Sequence, residues 1–319
     1  MSMHSRYIWM DGELLPYERA TLHFLTPALH YGVGAFEGIR CYSTKEGPAV
    51  FRLYDHIERL VQSARVLGFR SLPYSVDDLV DAVRLTVRTN GFTECYIRPL
   101  IYLAGGGWNL NIDGGRAAVG IAAWEWTNYL GSEALERGVR ANISSFTRHH
   151  PNVAMTKAKI TGNYANSFLA KTESVRLGFD EAILLEPQGY VAECTGENLF
   201  IVKRGRIVTP DLAPVLEGIT RDSIVSLAHD RGIEVVEAPV SRDQLYTADE
   251  VFVCGTAAEC IGLREIDHRV IGTGTMGPIT KMLQEEYRAA VHGMHIRSKS
   301  WLAHVGEAAS IPVRKLARA

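Results

Sequence analysis

The sequence predicts an α/β (α+β) protein of two domains, on three observations. Its 319 residues are about twice a typical domain of roughly 150. Short apolar runs and amphipathic helical stripes share the whole chain. They mix irregularly, which excludes a strict βαβ repeat. Hydrophobic residues make up 46%, enough at this length for packed cores without a disulfide or metal staple.

The first domain is expected over 1–126. Runs 49–53 and 97–103 read as strands. Between them, helix 56–69 sets Ile57, Leu60, Val61, Ala64 and Leu67 on one stripe, and Asp55 with Glu58 forms a capping-box-like start. Helix 76–90 carries Leu79, Val83, Leu85 and Val87, with Ser75 as N-cap and Gly91 as its stop. A strand at 117–125 follows. Residues 127–131, after Trp126, break the pattern and read as a linker.

The second domain is expected over 132–302. It opens on strand 138–146, then helix 163–177 and strand 181–186. A hairpin is expected from 190–193 and 198–202, returning through Arg204-Gly205 to 206–209. Helix 220–231 takes Thr220 as N-cap and Gly232 as stop, and strands 234–237 and 250–254 come next. The last helix, 278–293, starts with Pro278 in its first turn, where a missing N–H costs nothing. Residues 303–319 hold Arg314, Lys315 and Arg318 around Pro312 and read as a solvated tail.

Charge and composition exclude several functions. The net charge is −2, so no basic field draws the chain to nucleic acid or anionic lipid. The longest apolar run, Ala117 to Trp124, is too short to cross a bilayer. The start, Met1 to Trp9, has no secretory apolar segment. Five cysteines, odd in number and without a C-x-x-C, point to a reducing cytoplasm rather than a disulfide framework or zinc site. The sequon at Asn142 then carries no glycan.

Three motifs fail on context. Gly272-Thr-Gly274-Thr-Met-Gly277 matches a dinucleotide fingerprint literally, yet Pro278 follows and too little chain remains for the further sheet. It reads as a glycine loop entering a helix. His149-His150 has no third ligand at zinc-site spacing, so no metal is expected. Gly105-Gly106-Gly107 reads as a flexible loop, either a gate over a site or only a turn.

A set of blocks in fixed order carries the chemistry. They are His30-Tyr31-Gly32 with Phe36 and Gly38-Ile-Arg40; Tyr96-Ile-Arg98; Lys159-Ile-Thr-Gly162-Asn163-Tyr164; Glu193-Cys-Thr-Gly196-Glu197-Asn198; Gly218-Ile219-Thr220-Arg221; and Gly255-Thr256-Ala257-Ala258-Glu259. In this order, from about residue 7 to 302, they resemble the branched-chain amino acid aminotransferases. These belong to the fold-type IV pyridoxal-phosphate enzymes, whose two domains hold the cofactor at their interface.

The resemblance implies pyridoxal 5′-phosphate as cofactor, and such chemistry needs an amine, a partner for the ring nitrogen and a phosphate cradle. Lys159 resembles the Schiff-base lysine; Lys157 lies two residues away, and only the spacing to Gly162-Asn163-Tyr164 separates them. Glu193 resembles the carboxylate facing the ring nitrogen, with Glu197 as its near competitor. Tyr164 resembles the residue bonding the cofactor's phenolic oxygen, and Leu216 the one packed on a ring face. Gly218, Ile219 and Thr220 stand at a helix start, where free N–H groups and the dipole favour an anion; Thr256 and Arg59 match further phosphate contacts.

For the substrate, the resemblance implies backbone N–H groups near Thr256 and Ala257, helped by Tyr96, for the α-carboxylate. Arg98, aided by Tyr31, matches the residue admitting the second carboxylate of 2-oxoglutarate. Gly38 stands in the same block. Phe36, Trp126 and Tyr129 match the apolar pocket wall, which separates one methylene by only about 1–3 kcal/mol, so valine, leucine and isoleucine should all pass. Trp108 departs from the family's smaller apolar residue. The implied activity is a ping-pong transfer of the amino group to 2-oxoglutarate by a homodimer or larger homo-oligomer. Its rivals are an aminodeoxychorismate lyase, a D-amino acid transaminase and a non-catalytic cofactor binder.

Overall fold

The computed structural model describes residues 5–126 and 132–306. The expected linker 127–131, Tyr129 within it, and tail residues 307–319 lie outside the described residues. By contact the described residues form two compact units: 5–126 with 158–162 and 291–306, and 132–157 with 163–290. The segment bearing Lys159 therefore groups with the first unit, where the sequence division had set it in the second domain. Each unit joins helices to a largely antiparallel sheet, the α+β form of the expected class. Among the described residues no helix is long and apolar enough to cross a membrane.

The first unit is built on an eight-stranded sheet. Its order is Leu302–His304, Gly47–Phe51, Ile39–Thr44, Cys95–Gly105, Arg116–Trp124, Tyr7–Met10 and Glu13–Pro16, with Gly34–Phe36 pairing beside Cys95–Gly105. Strand side chains alternate between faces. Ala35, Ile39, Cys41, Ile97, Ile101, Ile121 and Ala123 are buried in the core with Ile57, Leu60, Leu79, Val83 and Val87 of helices Leu53–Val66 and Val76–Asn90.

Helix caps follow the sequence in one case and depart in another. Ser75 and Asp78 form a reciprocal capping box, and Gly91 closes that helix in the left-handed region at φ 73°. The preceding helix starts at Leu53, not 56, with Arg52 as N-cap at φ 50°. Asp55 is drawn into an ion pair with Arg52 at 2.8 Å instead of capping.

The second unit has a nine-stranded sheet in the order Val191–Cys194, Glu181–Leu185, Val139–Ile143, Glu259–Ile266, Glu250–Gly255, Asn198–Lys203, Arg206–Thr209 and Val235–Glu237, with Arg269–Val270 pairing beside Glu259–Ile266. Arg204 and Gly205, both at positive φ (51° and 78°), turn Asn198–Lys203 into Arg206–Thr209, as a two-residue hairpin demands. The 190–193 run is not part of that hairpin. Val191–Cys194 pairs with Glu181–Leu185.

Helix Ile219–Asp230 has Gly218, not Thr220, as N-cap. The Gly272–Gly277 stretch does lead into helix Pro278–Val291. The Glu250 carboxylate accepts from Ile279 N at 3.0 Å and Thr280 N at 2.7 Å, so that helix start is already satisfied.

Candidate active site

In the first unit, strand register gathers much of the expected substrate set. Phe36 pairs with Leu100, Arg40 with Tyr96, Tyr96 with Trp124, and Arg98 with Ala122. Opposite residues share a face, as do i and i+2. Phe36, Tyr96, Arg98 and Trp124 thus stand on the sheet face turned away from the core. The Arg98 guanidinium carbon lies 4.8 Å from the Phe36 ring centre, 5.3 Å from Tyr96 and 5.9 Å from Trp124. Its Nη2 donates to Tyr96 Oη at 3.2 Å. Trp126 lies against Tyr96 with ring centres 5.0 Å apart and planes tilted by 33°.

Gly38 is required here by close approach. A Cβ at this position would sit 1.9 Å from Tyr96 Oη, so any side chain would evict the tyrosine hydroxyl.

Lys159 reaches the same face from a separate segment. Residues 157 and 158 form a turn and a bend and 159 is irregular, not the strand that would have aimed both lysines alike; Ile160 bridges to Ala35. The Lys159 N–H donates to Ser63 Oγ at 3.0 Å, and its carbonyl accepts from Phe36 N at 3.0 Å. With its backbone pinned at both ends, its half-buried side chain sets Nζ 5.1 Å from the Phe36 ring centre. Lys157 goes elsewhere: it is exposed, donates to Val215 O at 3.3 Å and pairs with Glu217 at 3.2 Å.

Arg59 does not lie free on its helix. Its Nε and Nη2 donate to Glu37 Oε1 and Oε2 at 2.6 and 2.8 Å, and His56 Nδ1 meets Glu37 Oε2 at 2.8 Å. Glu37 and His56 are both fully buried. Burial alone would raise the Glu37 carboxyl; the Arg59 charge and the bonds from His56 and Arg59 outweigh it and hold the group well below the usual carboxylate range. Burial lowers His56, partly opposed by Glu37. Sequence reasoning missed both. The only signal was Glu37 beside Phe36 and Gly38 in a quoted block.

In the second unit, Glu193 is aimed by a register shift in its strand between Val191 and Glu193, and such bulges re-aim side chains. Its Oε2 accepts from Leu216 N at 3.2 Å and Asn198 Nδ2 at 3.4 Å. Arg148 Nε lies 2.7 Å from Oε1, both side chains buried. That N–H is not aligned on the oxygen, so the contact acts through charge. Glu197, the competitor, is turned back on its own turn, where its carboxylate takes the Gly196 N–H at 3.1 Å.

Asn198 links the second unit's expected cofactor contacts. Besides Glu193, its Nδ2 serves Leu216 O at 3.0 Å. Its Oδ1 would lie 2.0 Å from a Cβ on Gly218. Gly218 starts a helix with no side chain capping it, leaving N–H groups of Ile219 and Thr220 at an end with partial positive charge. Asn198 also pairs with Cys254, and Gly255, where a Cβ would meet Gly196 O at 2.9 Å, opens the turn to Glu259 that carries Thr256 and Ala257. Tyr164 is half-buried and opens helix Tyr164–Arg176.

Tyr31 remains exposed in the first unit and meets Trp108 edge-on with ring centres 5.8 Å apart.

Residues 34–266 match the family model described as amino-transferase class IV. The chain is 47% identical over 303 residues to the branched-chain-amino-acid aminotransferase of Pseudomonas aeruginosa, covering 94% of this chain and 98% of that protein. The crystal structure of a T.th. branched-chain amino acid aminotransferase complexed with N-(5′-phosphopyridoxyl)-L-glutamate is 46% identical, with a TM-score of 0.91 over 96% of this chain and all (100%) of that one. An Escherichia coli branched-chain amino acid aminotransferase structure is 44% identical, with a TM-score of 0.93 over 95% of this chain and 100% of that one. The chain belongs to the class IV aminotransferases, in their branched-chain branch.

Proposed function

We propose that this chain is a branched-chain L-amino acid transaminase that works with pyridoxal 5′-phosphate, exchanging amino groups between leucine, isoleucine or valine and 2-oxoglutarate. The observation that carries the reading is Lys159, half-buried, pinned at its N–H and C=O, with its amine over Phe36 on the Tyr96–Arg98 sheet face. The donor set fits the cofactor: an uncapped helix start at Gly218 suits a phosphate, and a buried carboxylate at Glu193 suits a protonated ring nitrogen.

When bound, pyridoxal phosphate supplies an aldehyde carbon for amine exchange and a ring that takes up the electron pair left at the amino acid's Cα. Lys159 is the catalytic residue. Its amine would hold the cofactor covalently and, once released by substrate, would be the base that takes and returns the proton at the substrate Cα. Glu193 would hold a proton at the ring nitrogen, Tyr164 would bond the phenolic oxygen, and Leu216 would pack on the ring. The N–H groups of Ile219 and Thr220, with Gly218 leaving them room, would bind the phosphate; Thr256 and Arg59 are proposed as further phosphate contacts.

Backbone N–H groups of Thr256 and Ala257 would take the substrate α-carboxylate, a contact for which Tyr96, close against Gly38, is also proposed. Phe36 and Trp126 would wall an apolar side chain, and Arg98, aided by Tyr31, would take the second carboxylate of 2-oxoglutarate. The lyase and D-amino acid readings are not favoured, because the close relatives are branched-chain aminotransferases.

We read the chain as a cytoplasmic homo-oligomer. The free thiols of Cys41, Cys95, Cys194, Cys254 and Cys260 suit a reducing compartment. Exposed Phe24, Leu25, Leu29, Trp108 and Leu110 of the first unit suit a subunit contact. Light scattering on the purified protein reads the assembly; a monomer would count against it.

The test is borohydride reduction of the holoenzyme with peptide mapping, beside transfer from leucine to 2-oxoglutarate. The expected results are a label on Lys159 and parallel double-reciprocal plots. A label on Lys157, or no transfer from leucine by the unreduced holoenzyme, overturns the reading.

A further inference from the structure

Two side-chain donors on the substrate face of the first unit are buried without an acceptor. Arg98 Nε and Trp124 Nε1 have no hydrogen-bond partner among the described residues. Buried donors normally find one. The two residues occupy adjacent strands in adjacent rows: Trp124 stands opposite Tyr96, and Arg98 stands two residues beyond Tyr96 on the same face. The Arg98 guanidinium is also fixed, by Tyr96 Oη and by the rings of Phe36, Tyr96 and Trp124.

We propose that Trp124 donates its indole N–H, beside Arg98, to the side-chain carboxylate of the dicarboxylic substrate, and so is a specificity-determining residue for 2-oxoglutarate and glutamate. The inference rests on the reading of Arg98 given above and adds a residue to it. The chemistry suits a site that must accept two kinds of side chain in turn. Aromatic faces of Phe36, Tyr96 and Trp124 take an aliphatic chain, whereas the guanidinium and the indole N–H offer two donors to a carboxylate. A site with such donors discriminates against ligands that leave them unpaired, which favours a dicarboxylate over an aliphatic acid of similar length.

The test measures inhibition of the holoenzyme by glutarate and by 4-methylvaleric acid, two unreactive acids that differ at the far end. Trp124→Phe removes the N–H. A second variant carries 3-benzothienylalanine at position 124, which keeps the ring's shape without the N–H and serves if the phenylalanine variant fails to fold. The expected result is glutarate binding weakened about 10-fold, the range for a hydrogen bond to a charged acceptor, with 4-methylvaleric acid within about 2-fold. Equal weakening of both acids, or no change in either, overturns the proposal. Arg98→Leu is run alongside: if it leaves the preference for glutarate intact, the reading of Arg98 falls; if it abolishes that preference while both Trp124 variants keep it, only Trp124 falls.

Discussion

The Glu37 carboxylate holds the Arg59 guanidinium at both oxygens, at 2.6 and 2.8 Å, with the carboxylate wholly buried. A bidentate pair fixes the plane of the guanidinium as well as its position. Arg59, which we propose as a contact of the cofactor phosphate, is therefore aimed by a residue that never meets solvent.

Removing one partner of such a pair leaves a buried, uncompensated charge, which costs about 3–5 kcal/mol. Glu37→Leu is expected to lower stability by that amount, read as a fall in the urea midpoint at unchanged slope. Glu37→Gln keeps one acceptor and most of the volume. It is expected to fold and to bind pyridoxal phosphate on the order of 10-fold more weakly, measured by equilibrium dialysis of the apoenzyme. Unchanged affinity would show that Arg59 needs no such support.

Arg148 is placed against Glu193 as Glu37 is against Arg59, with both side chains buried and 2.7 Å between charges. Arg148→Met is expected to reduce kcat/KM for leucine on the order of 10–100-fold, the range for residues that hold a first-contact group in place. Arg148→Lys should recover part of the loss, since lysine restores the charge but not the planar fork. Stopped-flow measurement of the leucine half-reaction is the check, and a rate equal to the wild type in Arg148→Met would remove Arg148 from the account.

The sequence carried the helix stripes well because their apolar residues recur at 3.6-residue spacing, as in Ile57, Leu60, Val61 and Ala64, all buried. The site blocks were legible only through the family resemblance; two of their glycines, Gly38 and Gly218, stand where a Cβ would collide. The sequence did not reveal strands such as Ile39–Thr44 and Glu259–Ile266, where Arg40, Ser43, Glu259 and Arg264 break apolar continuity. Nor did it reveal the buried partners Glu37, His56 and Arg148, because ion pairs between residues distant in sequence leave no local pattern. The Asp55 cap failed for a related reason: local capping chemistry lost to the stronger pull of Arg52.

Two histidines set an acid limit on stability. Burial lowers His56, against the pull of Glu37, and burial with the Arg148 charge lowers His149 to about 4. The unfolded chain protonates both near the ordinary histidine value, about 6.5, while the native state keeps them neutral below it. The unfolded state then binds more protons, so stability is full above about pH 6.5 and declines as pH falls below it. Glu37, held low, adds its own loss only below the ordinary carboxylate range, about 4.3. Urea midpoints at pH 7.5, 6.5, 5.5 and 4.5 should fall over the last three, and His149→Asn should flatten the decline. A midpoint constant down to pH 4.5 would show that neither histidine is held neutral.

The helix start at Gly218 leaves no room for a side chain. An added Cβ would lie 2.0 Å from Asn198 Oδ1, closer than two atoms can approach, so Asn198 must move. That residue also serves Glu193 and Leu216, so one methyl group disturbs the proposed phosphate contact and the proposed ring-nitrogen contact together. Overpacking of this kind costs about 1–3 kcal/mol, and Gly218→Ala should fold yet lose most of its affinity for pyridoxal phosphate. If the clash with Asn198 is the cause, Asn198→Ala, which removes the colliding oxygen, should make the further change Gly218→Ala much less costly, leaving only the 3.2 Å approach to Arg221 Cβ. The two substitutions would then be strongly non-additive, with a coupling of about 0.5–3 kcal/mol. Unfolding measurements on the two single variants and the double variant close the cycle. Additive effects would mean that Gly218 is needed for its own backbone rather than for the room it leaves Asn198.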